Sequence, residues 1–283
     1  MNSPRIRLRA RRGQWDNVKD DFSGGVLVNR SSKPFAETSF VWRNLMLKAV
    51  LFDFNGVIIN DEPLHQKLIE QLLIEENLRP NPQDFWQFCI GRSDRACLRD
   101  LLTHRGRAVT DKYLDDLILR KSRAYVQQLE TIDKLPIYPG LADLIYHLRA
   151  AQIPMAVVSG AVRAEVELVL DRAELLSNFA VMVCGDDITQ SKPDPEGYLL
   201  AVDRLNQALP SLDLHPQECL AIEDSFAGIE AAKQAKIPVV GVANTYPFHM
   251  MQRLSNWAVD YLSDLELDRV RAVFAGGERQ PVG

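Results

Sequence analysis

The stretch from Leu47 to Asp61, with the sequence LKAVLFDFNGVIIND, decides the fold of this chain. Its residues 49–52 form an apolar run, which is typical of a parallel strand buried on both faces of a sheet. Asp53 follows this run directly, and Asn55-Gly56 then supplies a turn. Open α/β sheets bind their ligands at the carboxyl ends of such strands, so Asp53 is a candidate functional residue. Taken alone, it is better explained as a strand end or a turn cap, and its role depends on the rest of the chain.

Length and composition limit the classes of protein to which the chain can belong. Its 283 residues are 46% hydrophobic and 25% charged, as in a soluble globular protein with one large domain and a smaller one. A net charge of −5 provides no basic surface for nucleic acid, and no apolar run approaches the about 20 residues that cross a bilayer. We therefore expect a monomeric cytoplasmic protein with neither nucleic acid nor membrane as a partner.

The four cysteines, Cys89, Cys97, Cys184 and Cys219, are scattered along the chain. Their spacing matches neither a metal site nor a disulfide framework. The simplest interpretation is that all four are buried, reduced thiols of a cytosolic protein.

The first 45 residues carry several arginines near their start and show no clear periodicity. An organelle transit peptide, a basic arm and an overlong gene start before Met46 are the alternatives, and Asp16, Asp20 and Asp21 count against a transit peptide. We favour a disordered leader over residues 1–45, and we expect residues 276–283 to be a loose tail.

Two kinds of pattern divide the remaining chain. Helical periodicity over residues 63–77, 94–104 and 110–131, without a convincing strand, predicts an all-helical cap at residues 61–134. Beyond it, helices of about ten residues alternate with short apolar strands, which predicts a parallel α/β sheet with helices on both faces. The core then comprises residues 46–60 and 135–275. The strands predicted after the cap are 155–158, 180–184, 219–222, 239–242 and an edge strand at 258–261.

Polar residues follow four of these strands, and the carboxyl ends of parallel strands share one edge of the sheet. Crowded carboxylates resist ionisation unless a cation neutralises them, and oxygen ligands suit Mg2+. A hydroxyl, a lysine and backbone N–H groups suit a phosphoryl group, and an aspartate can act as its nucleophile. Each residue alone also fits a turn, a helix cap or a solvated surface. The residues concerned are Asp53, Ser159-Gly160, Asp186-Asp187, Lys192 on a loop, and Glu223-Asp224.

Four segments resemble the four motifs of the haloacid dehalogenase (HAD) superfamily in order and spacing. They are DFNGV from Asp53, VVSG ending at Gly160, SKPDP around Lys192 and IEDSFAGIEAA around Asp224. The resemblance extends from about Leu47 to Asp264. The helical insert is similar to the cap of the β-phosphoglucomutase-like branch, which contains phosphatases and mutases. The resemblance therefore implies a Rossmann-like sheet with an inserted cap and a Mg2+-dependent phosphatase of a small phosphorylated metabolite, with sugar phosphates among the candidates.

The resemblance also implies roles for individual residues. Asp53 is the implied nucleophile, and Mg2+ is held by the Asp53 side chain, the Asn55 backbone carbonyl and Asp224. Glu223 is implied near the metal or bridging to it through water. Ser159, Gly160 and Lys192 are implied to bind the phosphoryl group. Asp187 matches a position that supports the site from behind.

Asn55 departs from the family pattern, which usually has a second aspartate there as general acid and base. Loss of such a group costs about 10²–10⁴-fold in rate. Three alternatives are open: a slow or specialised phosphatase, a silent binding or regulatory protein, and deamidation of Asn55-Gly56, which we disfavour. A mutase is also considered, but Ala161, Val162 and Arg163 stand where it would show a serine and a Lys-Asn pair. A simple phosphatase is the better interpretation.

The cap is expected to select the substrate. The segment GRSDR from Gly91 resembles the specificity loop of the branch, so Arg92 or Arg95 is a candidate for binding a substrate anion. Lys121 matches a substrate-facing lysine, and His65 falls near a histidine that mutases use. Solvated surface charges are the alternative interpretation of each.

Overall fold

The computed structural model describes residues 46–276 of the chain. The leader predicted at residues 1–45 and all but the first residue of the predicted tail lie outside the described residues. Six strands form the sheet: β1 (Ala49–Phe52), β2 (Met155–Val158), β3 (Phe179–Val183), β4 (Cys219–Glu223), β5 (Val239–Val242) and β6 (Trp257–Val259).

All strand pairs in this sheet are parallel, in the order β3-β2-β1-β4-β5-β6. The first strand lies at the centre, where Leu51 is opposite Ala156 of β2 and Ala221 of β4. Because the strands are parallel and in close register, the residues that follow them emerge at one edge. The predicted α/β fold with a parallel sheet is confirmed.

Ten α-helices accompany the sheet within the described residues, and none of them is long and apolar enough to cross a membrane. They are α1 (Glu62–Glu75), α2 (Pro82–Phe88), α3 (Asp94–His104), α4 (Asp111–Glu130), α5 (Leu141–Ala150), α6 (Arg163–Arg172), α7 (Glu196–Ala208), α8 (Phe226–Gln234), α9 (Phe248–Leu254) and α10 (Leu267–Phe274).

Three short helices, α2, α9 and α10, have no counterpart in the predicted pattern. A helix of two turns shows too few repeats for periodicity to reveal it. Pro82 stands at the first position of α2, where its missing N–H costs nothing. Asn81 caps this helix, since its side-chain oxygen accepts a hydrogen bond from the Gln83 backbone N–H at 3.1 Å.

The central strand contributes to both apolar layers of the core. Val50 and Phe52 belong to the cluster on one face of the sheet, whereas Ala49 and Leu51 belong to the cluster on the other. All four side chains are buried, so the run is apolar throughout rather than alternating. Most apolar side chains of helices α1–α3 form a third cluster with the first half of α4. We propose that these four helices form the cap, with the predicted bounds 61–134.

The prediction of four reduced cysteines is wrong for one pair. Cys89, at the end of α2, and Cys97, in α3, form a disulfide with Cα atoms 4.5 Å apart. The turn between two helices brings these residues together, and a separation of eight residues in sequence gave no sign of it. Cys184 and Cys219 are free and buried, as expected.

Candidate active site

Asp53, Lys192 and Glu223 form a buried ion-pair cluster at the carboxyl edge of the sheet. The Lys192 ammonium lies 2.6 Å from Asp53 Oδ1, 2.7 Å from Glu223 Oε1 and 3.2 Å from the carbonyl oxygen of Val158. All three charged side chains are buried. One ammonium therefore contacts two carboxylates that follow or end different strands.

Asp224 adds a third carboxylate to this cluster. Oxygens of Asp53, Glu223 and Asp224 lie within 4.8 Å of one another. Burial and the Glu223 charge raise the pKa of Asp53 to about 7, although Lys192 acts in the opposite direction. Burial and the Asp53 charge likewise hold the pKa of Asp224 well above its usual range. Carboxylates crowded in this way are a donor set that fits a hard divalent cation such as Mg2+.

Glu223 is held by the protein on both oxygens. Its Oε1 accepts hydrogen bonds from Lys192 and from the Tyr198 hydroxyl at 2.8 Å, and its Oε2 accepts one from the Asp224 N–H at 3.2 Å. A Cβ at Gly228 would lie 1.8 Å from Glu223 Oε1, so this close approach requires glycine. The carboxylate is fully buried behind the cleft and anchors Lys192.

The loop after β5 supplies two contacts that sequence reasoning missed. The Thr245 hydroxyl donates a hydrogen bond to Asp224, and Asn244 Nδ2 donates one to the Gly56 carbonyl at 2.7 Å. Gly56 has a φ of 79°, and a Cβ there would lie 1.9 Å from Asp224 Oδ2. The sequence did contain a signal for these two residues, because polar residues follow β5 just as they follow the four strands noted above.

Ser159 and Gly160 lie beside Lys192 at the end of β2. The Ser159 Oγ accepts a hydrogen bond from the Ala161 N–H at 3.0 Å and lines a small cavity that shares Lys192 with the main cleft. Gly160 lines the cleft itself, and a Cβ on it would lie 2.8 Å from the backbone of Arg92. The loop after β2 and the segment before α3 therefore pack so closely that no side chain fits at position 160.

The amide of Asn55 is directed toward Asp61, on the side of helix α1. Its Nδ2 lies 3.0 and 3.1 Å from the two carboxylate oxygens of Asp61 and 3.0 Å from His65 Nε2. Asp61 also accepts a hydrogen bond from the Tyr125 hydroxyl and contacts His65, whose ring stacks on that of Tyr125. Burial acts to raise the pKa of Asp61, but the His65 charge and these hydrogen bonds together lower it. Asn55 thus donates hydrogen bonds to an ionised carboxylate, Asp61, which was not among the predicted site residues.

Of the four cap residues predicted to bind substrate, two lie in the cleft. Arg92 and His65 both line it, together with Asp53 and Lys192. The structure places Arg95 on an outer face of the cap, where it pairs with Asp115 and, at 3.5 Å, with Asp111.

Lys121 does not line the cleft either. Its ammonium is fully buried and lies 2.8 Å from Asp94 and 3.1 Å from Glu165 of helix α6. It therefore joins the cap to the core as a buried ion pair. Asp187 has a comparable supporting role, since it binds Arg163 at 2.5 Å and Arg204 at 2.9 Å.

Glu62 and Asp94 are cleft residues that the sequence did not reveal. Burial and the Asp61 charge raise the pKa of Glu62 to about 7. Both residues stand in the first turn of a helix, where acidic residues are common for reasons unrelated to function. Their position in a helix therefore gave no reason to predict a functional role for them.

Comparison with known proteins shows the family to which the chain belongs. The family model of the haloacid dehalogenase-like hydrolases matches residues 47–236, and the chain belongs to this family of hydrolases. A phosphorylated carbohydrates phosphatase of Thermotoga maritima is 30% identical over 201 residues, covering 70% of this chain and 87% of that protein. The β-phosphoglucomutase of Bacillus subtilis is 29% identical over 207 residues, with coverages of 71% and 85%.

Solved structures show the same fold. The crystal structure of a β-phosphoglucomutase from Clostridium difficile superposes with a TM-score of 0.70 and 22% sequence identity. The match covers 81% of this chain and 97% of that chain. The architecture of a HAD-like sheet with a helical cap is therefore shared.

Proposed function

We propose that the protein is a Mg2+-dependent phosphatase that hydrolyses the monoester of a small phosphorylated metabolite, with Asp53 as nucleophile. The observation that carries this proposal is the contact of Lys192 with both Asp53 and Glu223, at 2.6 and 2.7 Å. The lysine positions the Asp53 carboxylate, which lines the cleft, and supplies positive charge where a phosphoryl group would be attacked.

The chemistry follows from these residues. An Asp53 oxygen attacks phosphorus, the bond to the ester oxygen breaks, and an aspartyl-phosphate forms, while the alcohol part leaves with the ester oxygen and takes its proton from solvent water. Water then attacks this phosphorus, which releases phosphate and restores the carboxylate. Ser159, the backbone around Gly160, and Lys192 bind the phosphoryl oxygens during both displacements.

Asp53, Asp224 and the backbone carbonyl of Asn55 are the groups that would hold Mg2+. When bound there, the ion supplies positive charge against the carboxylates and the phosphoryl oxygens. Glu223 supports this set from behind through Lys192 and Tyr198. The crowding of three carboxylates within 4.8 Å, described above, supports the assignment.

The leaving group receives no proton from position 55. The Asn55 amide donates to Asp61, and an amide does not act as an acid at neutral pH. We infer that the enzyme works best on esters whose leaving oxygen needs little protonation. This orientation of Asn55 favours a specialised phosphatase over a mutase, which must protonate and deprotonate sugar hydroxyls.

The relatives support phosphorylated sugars as the substrate class. Those compared above are called a phosphatase of phosphorylated carbohydrates and a β-phosphoglucomutase. The cytoplasmic location and the monomeric state remain predictions from the sequence.

The test is the release of phosphate from an aryl phosphate with and without Mg2+. We expect Mg2+-dependent turnover that is lost in Asp53→Asn and retained in the matched control Asp116→Asn. Asp116 is a good control because it undergoes the same change of charge on an exposed face of the cap, where it pairs only loosely with Arg120 at 3.6 Å. Undiminished turnover by Asp53→Asn would contradict the assignment of the nucleophile.

A further inference from the structure

In the half of the cleft that faces the cap, the walls consist of apolar side chains together with one carboxylate. Its apolar lining comes from helices α1 to α3 and the turn between the last two. These side chains are Ile69, Phe85, Cys89, Ile90 and Cys97. Such a wall favours an organic group with an apolar face over a strongly hydrated one.

Asp94 places a carboxylate in this wall. It lines the cleft, and its side chain is 14% exposed. Its partner Lys121 is fully buried and is shared with the carboxylate of Glu165. Two carboxylates therefore surround one ammonium, and Asp94 is the carboxylate of this group that lines the cleft.

Arg92 offers little positive charge to a ligand. Its two terminal nitrogens are used by the protein, since one donates to the Phe88 carbonyl at 3.1 Å and the other to Asp100 at 2.7 Å. The Nε is buried and has no hydrogen-bond partner among the described residues.

The other basic side chains that line the described part of the cleft are matched in the same way. Lys192 contacts Asp53 and Glu223, and His65 contacts Asp61. An incoming phosphoryl group can use Lys192 at the sheet edge, but a second anion at the cap end would face Asp94 with no unmatched cation beside it.

We propose, building on the function proposed above, that the cleft accepts phosphate monoesters whose alcohol part is uncharged or cationic and discriminates against bisphosphates through Asp94. The carboxylate of Asp94 accepts hydrogen bonds from a hydroxyl or an ammonium of the alcohol part, while the apolar wall packs on its carbon face. Like charges brought together in a partly buried site are strongly unfavourable, so a second phosphate loses affinity.

The test compares glucose 6-phosphate, glucosamine 6-phosphate and glucose 1,6-bisphosphate as substrates, by kcat/KM with Mg2+. We expect the bisphosphate to be used at least about tenfold less well than glucose 6-phosphate, and glucosamine 6-phosphate to be used better. Asp94→Asn should bring both ratios of kcat/KM toward one, because a neutral amide neither repels a phosphate nor attracts an ammonium. The control Asp116→Asn should leave both ratios unchanged.

A binding measurement separates this inference from the proposed function. Calorimetric titration of the same three compounds into Asp53→Asn, and into this variant combined with Asp94→Asn, reports selectivity without turnover. If no phosphate ester is hydrolysed, the proposed function fails, and the binding ratios still test Asp94. Equal affinity for the bisphosphate and the monophosphates, or ratios that do not change with Asp94→Asn, would overturn the inference.

Discussion

Restoring an aspartate at position 55 will destabilise this protein unless Asp61 is changed with it. In Asn55→Asp, a carboxylate oxygen replaces the Nδ2 that lies 3.0 and 3.1 Å from the Asp61 oxygens. Two carboxylates within about 4 Å repel by about 4 kcal/mol at an effective dielectric constant of 20. The donor that Asp61 used is lost at the same time.

A shared proton can relieve this repulsion, at a cost that depends on pH. Keeping a carboxyl group with an ordinary pKa near 3.9 protonated costs about 1.4 kcal/mol of folding free energy for each pH unit above that pKa. The cost is about 1.5 kcal/mol at pH 5 and about 4 kcal/mol at pH 7. The folded variant has a raised pKa and binds more protons than the unfolded chain, so its stability falls as pH rises from about 4 to 7.

The assay is urea unfolding of the wild type, Asn55→Asp, Asp61→Asn and the double variant, at pH 5 and pH 7. We expect Asn55→Asp to lose about 4 kcal/mol at pH 7 and less than half of that at pH 5. The double variant exchanges amide and carboxylate, so it should recover most of the loss, with a coupling energy of about 3 kcal/mol.

Activity gives the second readout of this cycle. A carboxyl at position 55 beside an amide at position 61 has the general acid that the wild type lacks, so the double variant should hydrolyse alkyl phosphates about 10²-fold faster or more. A single variant that is as stable as the wild type at pH 7, with a coupling energy below about 0.5 kcal/mol, would refute the pairing of Asn55 with Asp61.

Three further outcomes are expected. Because Asn55 supplies no proton, kcat/KM across substituted aryl phosphates should fall steeply as the leaving-group pKa rises, and a flat series would show that another acid acts. Lys121→Met leaves the buried carboxylate of Glu165 and the partly exposed one of Asp94 without their cation, so it should cost about 3–5 kcal/mol in the free energy of unfolding. Adding Glu165→Gln should recover part of that loss, and equal stability of Lys121→Met and wild type would contradict the buried pair of Lys121 and Glu165. Gly228→Ala places a methyl group against Glu223, so thermal unfolding should show a lower midpoint and phosphate release should weaken; an unchanged midpoint would mean that Glu223 moves freely.

Much of the fold was predictable because the informative patterns are local. The apolar run before Asp53 and the alternation of helices with short strands predicted the parallel sheet, and the bounds of β2 and β5 agree with the prediction. Local patterns carry no information where an element is short or where a turn between two helices brings residues together. Helix α2 and the Cys89–Cys97 disulfide were missed for these two reasons.

The sequence by itself determined the chain's family, its parallel sheet and the set of polar strand ends from Asp53 to Asp224. These follow from residue type and order, because parallel strands bring their carboxyl ends to one edge. Only the tertiary structure decided which charges face the cleft and which face one another. Lys121 is neutralised by Asp94 and Glu165 rather than exposed to a ligand, and Asn55 faces Asp61. The physical reason is that a buried charge must find its partner in space, and that partner can lie on any element that packs nearby.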